Sequence, residues 1–209
     1  MGTSRAGHGS SRDRILDAAE TLFSTRGYAD VTISQVCRES GLPVGSIYHH
    51  FTNKFGLLSA VVERASVEFF DAMPVPGELP GDPLERLGAY YDGAVDVISD
   101  RVRLMRLMYL LRLQEHNDGQ IESLVREAND RVRAELAAAI EPVTLGCGVP
   151  DAEALAKELA ELTLSFTAGL VVFTDDRGDH LRTGLRRLRQ LVLGVIAESA
   201  TEQSAGLRR

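Results

Sequence analysis

The 209-residue chain is 44% hydrophobic and 25% charged, the make-up of a globular protein with enough length to bury a real core. Its formal net charge of −7 excludes a protein that coats nucleic acid by bulk electrostatics, and no apolar run is long enough to cross a bilayer. The two cysteines, Cys37 and Cys147, lie far apart and form neither a metal nor a disulfide framework.

Ala, Leu, Glu and Arg are plentiful and strand-favouring residues sparse, so an all-α fold is expected. The charge is uneven. Residues 1–56 carry six Lys and Arg against five Asp and Glu, and the remainder 17 against 25. Contact with an anionic polymer is therefore expected in the first segment. The opening "MGTSRAGHGSSR" has no hydrophobic core and is not a secretory signal, and Ala6 breaks the myristoylation pattern. Residues 1–10 read as a disordered tail, and a cytoplasmic location follows.

The first helix is expected from about Ser11 to Arg26. Ile15, Ala18, Ala19, Leu22 and Phe23 form its apolar stripe, Ser10 and Asp13 a capping box, and Gly27 a stop. Thr32 and Gln35 form a second capping box, opening a short helix that ends at Gly41. Pro43 suits the first turn of a third short helix, about Val44 to Phe51. "TNK" restarts the chain into a long fourth helix reaching about Ala72. "MPVPGELPGDP", Met73 to Pro83, breaks it with a density of Pro and Gly that no helix tolerates. Asp82, Pro83 and Glu85 then cap a fifth helix to about Ser99. A sixth spans about Val102 to His116 and a seventh about Gly119 to Glu141. "PVTLGCGVP" separates these from an eighth, about Asp151 to Thr174, and a ninth, about His180 to Ser199. No internal repeat and no convincing strand is present.

Two short helices joined by a tight Gly turn describe a helix-turn-helix unit, whose second helix enters the DNA major groove. That second helix bears "GLPVGSIYHHF". Val44, Gly45 and Ser46 are small and let its N-terminal end approach base edges closely. Tyr48, His49 and His50 can donate hydrogen bonds to phosphate oxygens. Lys54 in the next helix and Thr32 at the start of the second add further phosphate donors. Adjacent histidines on a helix point in different directions, which argues against a metal role.

The run "TISQVCRESGLPVGSIYHHFTNKFGLL", Thr32 to Leu58, resembles the DNA-binding segment of the TetR family of bacterial transcriptional regulators. The similarity extends back through "ILDAAETLFSTRGYADVT". Gly41, the Gly45-Ser46-x-Tyr48 run, Phe51 and Lys54 sit at the family's spacing. The resemblance implies a homodimer that represses transcription and releases DNA when a small molecule binds its larger domain. It implies phosphate contacts from Thr32, Tyr48, His49 and Lys54, and base contacts from Val44, Gly45, Ser46 and His50. Val44 stands where many members have Lys or another polar residue, and Phe55 where an acidic residue is common. Both departures bear on the operator sequence.

The expected organisation is a tail (1–10), a three-helix helix-turn-helix DNA-binding domain (11–56) and a larger helical ligand-binding and dimerisation domain (57–209), with about nine helices in all. In the larger domain, Met105, Tyr109, Arg112 and His116 recur along one face of the sixth helix, beside a stripe of Leu104, Leu107, Met108 and Leu111. A thioether, a phenol and cationic groups together suit a pocket for an apolar ligand with a few polar handles. Arg112 could pair with an acidic group of that ligand, or with a protein carboxylate. Phe69, Tyr90, Tyr91 and Phe166 are further candidates. Leu155, Leu159, Leu162 and Phe166 on the eighth helix, with Leu181, Leu185, Leu188, Val192 and Val195 on the ninth, read as a dimer interface that also serves the core.

Cys37 fits a small buried position, and "DDRGDH", Asp175 to His180, a solvated loop. No catalytic constellation, cofactor or metal site is expected. The function that follows is a ligand-responsive homodimeric repressor. It would bind a near-palindromic DNA operator and leave it on binding a small-molecule effector. An activator of the same family, and a dimeric small-molecule-binding protein that never regulates DNA, are the alternatives.

Overall fold

The computed structural model describes residues 10–113, 119–173 and 178–206. Among them are nine α-helices and no strand: α1 (Ser11–Arg26), α2 (Ile33–Ser40), α3 (Val44–His50), α4 (Lys54–Ala72), α5 (Pro83–Asp100), α6 (Val102–Leu113), α7 (Gly119–Gly146), α8 (Ala152–Phe173) and α9 (Gly178–Gly206). The all-α expectation holds. His116, Asp175 and the tail before Ser10 lie outside the described residues.

The chain divides into two compact units, Met1–Val67 and Glu68–Arg209, with the boundary inside α4. The first unit thus runs past Gly56, where the sequence reading ended it, and Leu57, Leu58, Val61 and Val62 are all buried.

In the first unit, local signals decide the helix ends. Ser10 caps α1 reciprocally with Asp13, and Thr32 caps α2 with Gln35. Gly27 and Gly41 take positive φ at the two C-termini, where a side chain would be strained. Gly41 has a second reason to be glycine: a Cβ there would crowd the Arg14 guanidinium at 3.2 Å. That guanidinium donates to the carbonyl of Ser40 at 2.7 Å, tying α1 to the end of α2. The apolar stripe of α1 is buried throughout, joined by Val31, Val36, Ile47 and Phe51. Pro43 is the N-cap of α3 and not part of its first turn, and its carbonyl accepts from the N–H of Ser46 at 2.9 Å. Asn53 opens α4, its side-chain oxygen accepting from the N–H of Gly56 at 2.7 Å.

In the second unit, α7 packs on α8 and α5 on α9. The predicted Asp82–Glu85 capping box starts α5. Arg189 of α9 donates to the carbonyl of Gly88 at 3.1 Å and pairs with Asp92 at 3.3 Å. Gly88 permits this approach, because a Cβ there would lie 2.7 Å from the guanidinium.

Two expectations need correction here. The Pro-rich break between α4 and α5 contains one 3₁₀ turn, Pro76–Glu78, where fixed proline φ favours a tight turn. The seventh helix does not end at Glu141 but carries Pro142 within it and runs to Gly146. An internal proline costs about 3 kcal/mol. The penalty is offset by burial of Val143 and by the Thr144 hydroxyl, whose single proton is shared between the carbonyls of Glu141 and Ala152, each 2.9 Å away. The stripes of α8 and α9, read as serving both core and interface, supply the core here: Leu159, Leu181, Leu185, Leu188 and Val192 are buried within the unit's own core. The exposed leucines of these helices are Leu162 and Leu191, 43% and 54% accessible.

No helix among the described residues is long and apolar enough to cross a membrane.

Candidate nucleic-acid interface and apolar cavity

Helix α3 is short and amphipathic, and one residue anchors it. Ile47 is fully buried, and Phe51 follows one turn later at 5% exposure. Fixing that face turns the others outward. Val44 and Tyr48 are 51% and 55% accessible, and Gly45, His49 and His50 are exposed as well. Ser46 is half-buried. A Cβ added at Gly45 would meet nothing within 4 Å. The start of the helix is therefore bare, and its glycine answers no packing need of the fold. The His49 and His50 rings meet edge to face with centroids 5.0 Å apart, so both imidazoles stay at the surface.

The other two predicted contacts are differently placed. The Thr32 hydroxyl accepts from the N–H of Gln35 at 3.3 Å, and its own N–H donates to the Gln35 side chain at 2.7 Å. Capping already uses that backbone donor. Lys54 is half-buried. Its ammonium lies 4.3 Å from the Tyr28 ring centre and donates to the carbonyl of Ala29 at 3.2 Å. Burial lowers its pKa, with Asp30 opposing. Of its three donors, two remain for another partner.

Arg64 of α4 braces this unit, donating to Asp17 at 2.6 Å and Glu20 at 2.7 Å on α1.

The second unit contains a narrow cavity of about 50 Å³, room for a few water molecules. Phe69, Tyr90, Met105 and Tyr109 line it, and Tyr91 joins them. Met108 and Arg112 do not. Arg112 is exposed, because the face of α6 that meets the core is set by Leu107, Tyr109 and Leu111. Phe166 is not on the cavity wall and packs against the core around Leu159, Leu188 and Val192.

Sequence reasoning missed Phe70, Met73, Glu135, Thr163 and Thr167 on the cavity wall. The threonines carried a signal: Thr163 and Thr167 lie one turn apart on an otherwise apolar face. Glu135, one exposed acid among many, carried none.

The Tyr91 hydroxyl and Thr163 Oγ1 are 2.7 Å apart and buried. Burial pushes the Tyr91 phenol up to about 12, despite the opposing hydrogen bond it shares with Thr163. Burial pushes Tyr109 up to about 12, and raises Tyr90 with help from Tyr91 and the Glu135 carboxylate. All three phenols are thus neutral donors at physiological pH. Thr163→Val strands the Tyr91 hydroxyl and is expected to cost about 1–3 kcal/mol in denaturant unfolding. Adding Tyr91→Phe should recover most of that. A double variant no more stable than the single one would show that the bond contributes nothing.

Among the described residues no group of three or more His, Cys, Asp or Glu could hold a metal ion. Cys37 and Cys147 are free thiols, and Cys37 is partly rather than fully buried.

Residues 15–61 match the family model described as bacterial regulatory proteins, tetR family. The chain is 34% identical over 71 residues to the HTH-type transcriptional regulator UidR of Escherichia coli K12, covering 32% of this chain and 35% of that protein. It is 48% identical over 44 residues to the HTH-type transcriptional regulator LmrA of Bacillus subtilis, covering 21% and 23%. The chain therefore spans about a third or less of the length of these relatives. Likeness of fold extends further. The fatty acid degradation regulator FadR from Bacillus halodurans aligns with TM-score 0.73 at 19% identity, covering 90% of this chain and 97% of that one. Salmonella enterica GusR aligns with TM-score 0.68 at 18% identity, covering 92% and 99%. The capped, glycine-turned helices and bare third helix all lie inside the segment, residues 15–61, that matches the TetR family of bacterial regulatory proteins.

Proposed function

We propose that this protein is a ligand-responsive DNA-binding transcriptional regulator, a homodimeric repressor released from a near-palindromic operator by a small molecule. The observation that carries the reading is the outward face of α3, where Gly45 is open and Val44, Tyr48, His49 and His50 are exposed. A helix of this shape fits the major groove with its small N-terminal residues at base edges. Val44, Gly45, Ser46 and His50 read bases, while Thr32, Tyr48, His49 and Lys54 position the backbone. Val44 has only apolar contacts to offer, such as a thymine methyl. The names of UidR and LmrA, both HTH-type transcriptional regulators, support the class.

Dimerisation through α8 and α9 places two copies of α3 about 34–36 Å apart, one DNA turn. Leu162 and Leu191, exposed on those helices, are the residues offered for this contact. The cavity in the second unit is the effector site, and α4, which runs across the boundary between the units, is the covalent link. A coupling of 1–3 kcal/mol suffices for a large drop in occupancy. Regulation, not catalysis, and a cytoplasmic setting complete the reading.

A band shift with DNA flanking the protein's own gene tests it. A shifted complex at near-physiological salt supports the reading. Its absence, with a dimer present, favours a small-molecule-binding protein that does not regulate DNA. On a bound duplex, Tyr48→Phe and Lys54→Ala should weaken binding to all sequences alike, and Lys54→Ala should reduce the salt slope by about one. An unchanged salt slope would confine Lys54 to its contacts with Tyr28 and Ala29.

A further inference from the structure

The cavity wall has an uneven charge. Among its lining residues Glu135 alone is charged; the rest are apolar side chains, phenols and threonine hydroxyls. A second, wider chamber of about 390 Å³ lies under the Pro-rich segment between α4 and α5, and Phe70, Met73, Tyr90 and Glu135 line both spaces. The volume of the outer chamber is that of a small-molecule site. Its Pro wall sits close because Gly93 leaves room for Pro74; a Cβ on Gly93 would collide with that ring.

Glu135 stands where the two spaces meet and has no ion-pair partner among the described residues. Arg131, one turn earlier on α7, stacks on Phe70, with its guanidinium 4.7 Å from the ring centre. Arg86 lines the outer chamber only, and its Nε donates to the carbonyl of Gly81 at 2.8 Å. Sharing the inner wall with Glu135 are Phe69, Phe70, Tyr90 and Tyr91, whose rings pair edge to face. Aromatic faces attract cations, as Arg131 on Phe70 already illustrates. An acid entering here meets a carboxylate at the junction and no cation in the inner space.

We infer that the two spaces form one site for a lipophilic cation. Its ammonium or similar centre rests against Glu135 among the aromatic rings, and its apolar body enters the inner cavity. Met73 and Met105 are the pliable side chains that yield to admit that body. This rests on the reading of the second unit as an effector domain, and it replaces the acidic ligand that Arg112 suggested.

The test is calorimetry on the full chain with three probes of one tail: octyltrimethylammonium, 1-octanol and octanoate. Octyltrimethylammonium is expected to bind at least about tenfold more tightly than octanoate. Glu135→Gln should bring the two within about threefold while leaving octanol binding in place. Glu122→Gln makes the same change of net charge on an exposed part of α7 and should leave the preference intact. The inference is overturned if octanoate binds as well as the cation, if Glu135→Gln keeps the preference, or if no probe binds. DNA release is scored separately by anisotropy of a bound duplex. Selective cation binding without release upholds this inference and contradicts only the ligand-responsive part of the proposed function.

Discussion

Gly45→Glu is expected to abolish DNA binding, by about a hundredfold or more, while leaving the fold as stable as before. Nothing lies within 4 Å of a Cβ built at this position, so the side chain has open space. Replacing a helical glycine recovers about 0.5–1 kcal/mol of backbone entropy, and an acid in the first turn suits the positive end of the helix. Against a duplex the same side chain is doubly unfavourable. It holds the N-terminal end of α3 away from the base edges, and it sets a negative charge among phosphates. Equilibrium titration against a bound duplex, with thermal unfolding alongside, separates the two effects. Unchanged affinity would remove α3 from the groove. A large fall in melting temperature would mean that Gly45 serves packing after all.

Ile47→Ala has the opposite profile. Ile47 is the one residue of α3 that is fully buried, and it fixes the roll of the helix. Its truncation removes transfer energy and leaves a cavity, together costing about 2–5 kcal/mol. In a unit the size of residues 1–67, a loss of that order lowers the melting temperature by roughly 10 °C or more. DNA binding should fall with it, because the exposed face loses its orientation. Ile47→Val, at about 0.5–1.5 kcal/mol, should retain most of both. If the alanine variant melted like the parent, α3 would be held by something other than this contact.

The two variants also mark what the sequence made readable. Helix ends in the first unit are written in side chains next to one another: Ser10 with Asp13, Thr32 with Gln35, glycine at 27 and 41. Caps are local, so spacing alone finds them. The same holds for α3, where a seven-residue helix with one buried isoleucine leaves little choice of face.

Long helices are harder. The leucines of α8 and α9 repeat at helical spacing, but a stripe says only that something covers it. Leu159 and Leu188 meet the unit's own core, while Leu162, on the same stripe as Leu159, and Leu191, off the α9 stripe, are exposed. Arg112 lies off the cavity wall for a related reason. The residues of α6 around it share two apolar stripes, and only the packing of Tyr109 and Leu111 decides which faces inward. Pro142 shows tertiary burial outweighing a local rule, since Val143 and Thr144 hold the helix together past it. Glu135 could not be found at all, because its place at the junction of two cavities depends on α4, α5 and α7 meeting there.

The central claim is that paired copies of α3 recognise double-stranded DNA. Selection of bound fragments from a pool of random duplexes, using the purified full-length chain at near-physiological salt, tests it most directly. The account predicts enrichment of an inverted repeat whose half-sites lie about one helical turn apart, bound by two chains and lost in Gly45→Glu. A pool that emerges with no preferred sequence, or a preferred sequence that Gly45→Glu binds equally well, would contradict it.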